Sequence, residues 1–287
     1  MIGIDDGGEV RIKGTLPQRQ LARALRRLRE GAGLTLEEAA PQLDWSTSKL
    51  GRIETAHQGV DVHGVRSVLD LYNIGGAQWT EIIELTREAR KKDEWHSHRP
   101  GGQGYLGLEA DAVVVHNYQL AYVPGLLQTE DYMRTLFRQS WRRHTDAVID
   151  WEVQARLRRQ RRLTKQPALE LVAIVDEAVL QCPVGGAKIM QAQLHYMVEQ
   201  AALPSVCLQV LPSSLGMHSG MDGSFTLLGF AEPDEPEIAY VEHTAIALHL
   251  NKEAEVHAFR LVFDRLRSEA LSQHDSVAFV ERLAADL

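Results

Sequence analysis

Leu34-Thr-Leu-Glu-Glu-Ala-Ala-Pro-Gln-Leu-Asp-Trp-Ser-Thr-Ser-Lys-Leu-Gly-Arg-Ile-Glu54 contains two helix starts separated by a short turn. Thr35-Leu-Glu-Glu38 has the capping-box spacing, in which a Thr hydroxyl and a Glu carboxylate satisfy each other's free backbone amides. A short helix therefore begins at Thr35. Ser46 can cap the next helix, with Trp45 placed to staple onto Leu50, and that helix is expected to run to about Thr55. Asp44 stands in the turn, where Asp tolerates the left-handed conformation. Pro41 falls inside the first of these helices and deletes the bond to the Glu37 carbonyl.

The flanks extend the pattern. Leu21, Leu25 and Leu28 mark one apolar helical face, with Arg23, Arg26, Arg27 and Arg29 on the remaining surface and Gly31 and Gly33 ending the helix. Asp61 caps a fourth helix carrying Val62, Val65, Leu69 and Tyr72, and Gly75-Gly76 separates it from a fifth around Trp79–Lys92. Helices two and three, joined by so short a turn, have the form of a helix-turn-helix. Ala39 and Ala40 are small where two helices cross, and Leu43, Leu50 and Ile53 fix their angle. Thr47, Ser48, Lys49 and Arg52 are left on the outer face, a set that suits base and phosphate contacts.

Composition sets bounds on this reading. At 287 residues the chain exceeds a single ordinary domain of about 150. With 44% hydrophobic and 24% charged residues it is expected to fold into packed domains. The net charge of -8 argues against indiscriminate coating of nucleic acid, but Arg19–Glu54 is mildly basic while much of the acidic excess lies in the last sixty residues. No run approaches the ~18 apolar residues of a membrane span, and a cytoplasmic location is expected. Cys182 and Cys207 lack a CxxC spacing and read as reduced, buried thiols.

Residues 1–15 read as a flexible arm, 16–92 as the helical domain, and 93–106 as a linker, because charges, histidines, Pro100 and glycines cluster there. Residues 107–287 mix β-like runs (169–175, 206–211, 224–230, 238–250) with helical patterns (129–142, 150–163, 187–202, 254–270). The fold class is therefore a mainly α N-terminal helix-turn-helix bundle plus an α+β C-terminal domain.

Residues 34–54 with their flanks resemble the phage-repressor-like regulators of the xenobiotic-response-element (XRE) family, on Leu34-Thr-Leu-Glu-Glu-Ala-Ala, Leu43-Asp-Trp-Ser and Lys49-Leu-Gly-Arg-Ile-Glu54. The resemblance implies that helix three is the recognition helix, with Thr47, Ser48 and Arg52 where such repressors read bases and Thr35 where they meet phosphate. Leu36 stands where many relatives carry a polar residue. Residues 105–287 resemble the C-terminal domain of unknown function of actinobacterial, antitoxin-like regulators, on Leu106-Gly-Leu-Glu109, Val123–Tyr132, Val175-Asp-Glu-Ala178, Pro183-Val-Gly-Gly186 and Val206–Gly229. That resemblance implies a regulator often encoded beside a small companion protein. The partners expected are double-stranded DNA carrying an inverted repeat, a second copy of the chain, and a companion protein or small-molecule effector. The alternative is an antitoxin-type protein that neutralises a small partner and autoregulates its operon.

In the C-terminal half, Ser213–Ser224 is a Gly-rich loop with two methionines, and His218 and Asp222 are its candidate ligand or partner residues; the bland alternative is a mobile hairpin connection. Asp176 and Glu177 read first as a helix cap and only second as paired carboxylates. The basic run Arg156–Lys165 reads as a solvated helix face or, more sharply, as a phosphate or acidic-partner contact. Gly102–Gly107 matches GxGxxG outside the required strand context, the 12 histidines show no metal-ligand spacing, and there is no GxSxG elbow or Walker loop. No enzyme, cofactor or metal is expected.

Overall fold

A computed structural model describes residues 16–90, 103–140, 144–231, 235–243 and 246–287. The arm expected over 1–15 and residues 93–102 of the expected linker lie outside these. The chain forms two compact units, one closing at Asp111 and the other opening at Ala112.

The first unit contains α1 (Leu16–Gly31), α2 (Leu36–Gln42), α3 (Thr47–Glu54), α4 (Val62–Leu71), α5 (Gly76–Ala89) and α6 (Gln103–Asp111). Its caps form where the side chains allow them. The Thr35 hydroxyl accepts from the Glu38 amide while the Glu38 carboxylate accepts from the Thr35 amide at 2.8 Å. Ser46 Oγ accepts from the Lys49 amide at 3.1 Å, and Asp61 Oδ1 from the Gly64 amide at 2.7 Å. Asp44 takes the left-handed turn conformation at φ 55°, as its short polar side chain permits. Pro41 sits next to the last residue of α2, so its missing N–H falls in the final turn rather than mid-helix. Gly76, read as part of a spacer, instead opens α5, which ends at Ala89. Residues 103–106, read as linker, form the first turn of α6, where the Tyr105 hydroxyl donates to Glu109 Oε2 one turn later at 2.6 Å.

The core of this unit joins Leu21 and Leu25 of α1 to Ala39, Ala40, Leu50, Ile53, Val65 and Leu69. A buried ion pair runs across it. Arg29 Nε and Nη2 meet the two Glu54 carboxylate oxygens at 2.9 Å each, and Arg29 Nη1 donates to the Leu34 carbonyl at 2.7 Å. The side chains are only 9% and 3% exposed. Burial pushes the neighbouring Tyr72 phenol up to about 12, with the Glu54 charge adding to it.

The second unit is built on one mixed sheet in the order β3-β2-β1-β4-β5-β6. Strands β1 (Val114–Gln119), β2 (Glu170–Asp176) and β3 (Val206–Leu211) are parallel; β4 (Phe225–Gly229), β5 (Ile238–Glu242) and β6 (Ala247–Leu250) continue antiparallel from β1. Helices α7 (Glu130–Gln139) and α8 (Asp146–Gln160) link β1 to β2, and α9 (Glu177–Gln181) and α10 (Ala187–Ala201) link β2 to β3. α11 (Glu253–Glu269) covers one sheet face through Val256, Phe263 and Leu266, which pack with Tyr118, Ile174 and Leu227. α12 (Gln273–Ala285) follows, and Ser276 Oγ accepts from the β3 Val210 amide at 2.9 Å. The run 238–250, read as one strand, holds two strands, β5 and β6, paired antiparallel.

Three readings of this unit are corrected. Ser213–Ser224 is not a hairpin connection: β3 is an edge strand and β4 lies beyond β2 and β1, so the loop must cross the carboxyl ends of both. Within the basic run, Arg159 is buried, Arg162 donates to the Ala112 carbonyl at 2.6 Å and Arg156 to Gln128, so part of the run packs inward. Cys182 and Cys207 are free thiols, but Cys182 is exposed just after α9 and Cys207 half-buried.

Two expectations follow from this packing. Arg29→Met leaves the Glu54 carboxylate buried and unpaired and should cost about 3–5 kcal/mol, whereas Arg29→Met with Glu54→Leu should recover most of it; urea unfolding of the three proteins measures both, and equal losses would show the pair to be incidental. In the second unit, burial and the nearby Arg260 and Arg267 lower the His116 pKa from its ordinary 6.5 to about 4. The unfolded chain then binds a proton that the folded one refuses, so stability should fall as pH drops from about 6.5 to about 4. Thermal unfolding across that range should show a shallower slope for His116→Phe; an unchanged slope would assign the effect elsewhere.

Candidate nucleic-acid interface

α3 is two turns long and is held by its inner face. Leu50 and Ile53 point into the core and Glu54 into the ion pair, which turns the opposite face outward. On that face Ser48 and Arg52 are exposed, one turn apart, and Thr47 and Lys49 are half-buried at its margin. Arg52 Nη1 donates to Ser48 Oγ at 3.3 Å and Arg52 Nε to Gln58 Oε1 at 3.1 Å, so the guanidinium is already held in one place. Lys49 leans back, its ammonium 4.1 Å from the centre of the Trp45 ring. Trp45 itself lies against Gly64, where an added Cβ would stand 3.1 Å from the indole, so glycine is what lets α4 start this close.

Of the five residues selected from sequence, Ser48 and Arg52 share a contact, Thr47 and Lys49 border them, and Thr35 is elsewhere, at the start of α2. The Thr35 hydroxyl also donates to Glu38 Oε2 at 2.9 Å, so its side chain is engaged in the cap. Gln58 escaped sequence reading because it comes from the turn after α3, where Ala56 adopts φ 57° and the His57 and Gln58 amides both return to the Arg52 carbonyl. No periodicity signals such a return. Glu54 was quoted within the motif, but its pairing with Arg29 across 25 residues is likewise invisible locally.

The two C-terminal candidates do not converge. His218 turns inward, its Nε2 3.5 Å from Asp176 Oδ2 and its Nδ1 3.2 Å from the Gly220 amide, with Tyr118 edge-on at 6.4 Å. Asp222 is exposed. Gly220 is pressed on Tyr118, where a Cβ would stand 2.5 Å from the ring, so the loop backbone is pinned at that point. On its outer side Met217 is 91% and Met221 57% exposed. Asp176 caps α9 through the Ala178 amide at 2.9 Å, and Glu177 accepts from the Ser213 amide at 2.8 Å, so each carboxylate makes a structural contact. Val123–Thr129 is held from behind by Gln193, which bonds the Thr129 amide and the Leu127 carbonyl, and by Gln160, which donates to the Gln128 carbonyl. Among the described residues no three His, Cys, Asp or Glu side chains group as metal ligands, and no helix is long and apolar enough to cross a membrane.

Comparison with known proteins fits this division. A family model described as a helix-turn-helix domain matches residues 20–81, which supports a DNA-binding regulator. A second, described as a domain of unknown function (DUF5753), matches residues 103–282. No curated protein and no solved structure matches the chain. With well over half of its length in the second match, the chain belongs to the DUF5753 domain family and joins that domain to an N-terminal helix-turn-helix.

Proposed function

We propose that the chain is a sequence-specific transcriptional regulator that inserts α3 into the major groove, in the manner of XRE-type repressors. The observation that carries this reading is the outward face of α3, where Arg52 and Ser48 stand exposed and mutually bonded while every apolar residue of the helix is turned to the core. A guanidinium held in that way can exchange Ser48 and Gln58 for the two acceptors on a guanine edge. Thr47 and Lys49, at the margin, meet the sugar-phosphate backbone, and Thr35 contributes through its place at the start of α2 rather than through a free hydroxyl. The C-terminal unit pairs two copies and takes a small ligand or a companion protein that alters DNA binding.

Selection of bound duplexes from a random pool, followed by titration of the winner and of an unselected duplex, tests the assignment. Arg52→Ala should lose about 1–3 kcal/mol on the selected duplex and much less on the unselected one. Lys49→Ala should weaken both about equally. Equal losses on both duplexes for Arg52→Ala would remove it from base readout.

Pairing of two copies should give selected duplexes with inverted half-sites about one helical turn, ~10 bp, or a multiple of it apart. Residues 1–92 alone should then bind the selected duplex far more weakly than the full chain. A full-length protein that sediments as a monomer at concentrations where it saturates its site would overturn the dimer.

A further inference from the structure

The six-stranded sheet ends in two unlike edges. At β3, Val210 is bonded on the side away from β2: its amide donates to Ser276 Oγ and its carbonyl accepts from the Leu271 amide, each at 2.9 Å. α12 and the turn leading into it close that edge. At β6 the His243 amide donates to the Ile246 carbonyl at 2.8 Å, which makes these two residues a bonded pair with β5. Bonded pairs recur at every second residue of an antiparallel ladder, so Leu248 and Leu250 turn their backbone groups to β5 while Ala247 and His249 turn theirs outward. Those outward groups meet no backbone partner among the described residues.

The side chains of this edge are apolar. Ile246, Leu248 and Leu250 alternate onto the face that α11 covers; Leu250 packs into that core, whereas Ile246 is 54% and Leu248 36% exposed. Open edges in folded proteins are guarded by charge, proline, a bulge or mere shortness. β6 has shortness alone: it pairs with β5 without a bulge, and Thr244–Asn251 contains no Lys, Arg, Asp, Glu or Pro. On a chain of net charge -8, such a neutral apolar strip is where two copies approach with least repulsion.

We infer that β6 is the surface through which two copies of the chain pair, antiparallel across a two-fold axis at Leu248, so that their sheets become continuous. The free groups set the register. With the axis at Leu248, Ala247 of each copy lies opposite His249 of the other, and every outward amide and carbonyl of the two strands finds a partner; an axis at Ala247 or His249 would call on residues beyond the strand. The side chains fit the same register: small Ala247 stands beside bulky His249, Leu248 beside Leu248 and Ile246 beside Leu250, which carries the apolar face across the axis. Because the β3 edge is closed, pairing stops at two copies. This gives the proposed pairing of the C-terminal unit a location, and rests on that reading.

Sedimentation of the full chain tests this, and the parent should run as a dimer. Leu248→Lys sets two ammonium groups together at the axis and should weaken the dimer about a hundredfold or more. A chain carrying Cys182→Ser, Cys207→Ser and Leu248→Cys should form disulfide-linked dimers under mild oxidation, since directly opposed residues at a non-bonded position have Cα atoms about 4.5 Å apart, within disulfide reach. The same chain with Glu242→Cys in place of Leu248→Cys should not, because β5 lies one strand further from the axis. A dimer that survives Leu248→Lys, or a dimeric parent whose Leu248→Cys chain does not cross-link, overturns the β6 edge and leaves pairing to another surface. A parent that stays monomeric up to ~100 µM overturns the edge and the pairing together. A monomeric parent that dimerises only once residues 1–15 are removed gives the edge to that segment of the same chain, which also overturns the inference.

Discussion

Glu54 is almost fully withdrawn from water at the C-terminal end of α3, and a carboxylate is tolerable there only because Arg29 meets both of its oxygens from the end of α1. The same guanidinium holds the Leu34 carbonyl, the residue before the α2 cap. One side chain thus fixes the end of the first helix, the entry to the second and the exit of the third. Such a pair contributes little net stability against an apolar replacement, yet it is intolerant of losing one member. Its consequence is angular: α3, at eight residues, is too short to persist alone and takes its direction from what anchors it. The exposure of Ser48 and Arg52 follows from the burial of Leu50, Ile53 and Glu54.

In the second unit the corresponding constraint is the order of the strands. Because β4 adds beside β1 rather than beside β3, the chain leaving β3 must pass over the carboxyl ends of β2 and β1. That crossing explains why Gly220 lies on the Tyr118 ring and why His218 meets Asp176 at the end of β2. The Gly-rich loop was read as a candidate ligand or partner site or else a hairpin connection; its glycine at 220 serves close packing on Tyr118. Met217 and Met221 stand exposed on either side of His218 and Gly220, which are tied down.

Helix starts were legible because a cap is a local event. Thr35, Ser46 and Asp61 each bond an amide three residues away, and all three were readable from spacing alone. β3, apolar along nearly its whole length, was bounded correctly for the same reason. β1 was not seen at all, since His116, Asn117 and Gln119 interrupt any apolar run, and its burial is decided by strands more than fifty residues away. α12 was missed although Ser272 caps it through the Asp275 amide, because its inner residues, Ser276, Val280 and Ala284, are too small and mixed to mark a stripe. The inward turn of Arg156, Arg159 and Arg162 was unreadable too: charge alone suggested solvent, while the partners are a distant Gln128 and a backbone carbonyl at Ala112. At the candidate interface, the outer residues of α3 could be read from what the inner ones had to do, but Gln58 could not, because a left-handed Ala56 brings it back.

Gln58 alters what the interface can achieve. Arg52 is not a free cation waiting in water; its fork is already bonded to Ser48 and Gln58. In the proposed base readout, binding to a base edge would exchange hydrogen bonds rather than create them, and the gain would lie in the difference between two bonded states. A matching guanine would repay the exchange with two charge-assisted bonds, whereas a base that offers a donor would leave the guanidinium better off where it was. On that proposal discrimination would arise as much from the stability of the unbound arrangement as from the contact itself, and the bonds Arg52 already makes would lower the entropy still to be lost on binding.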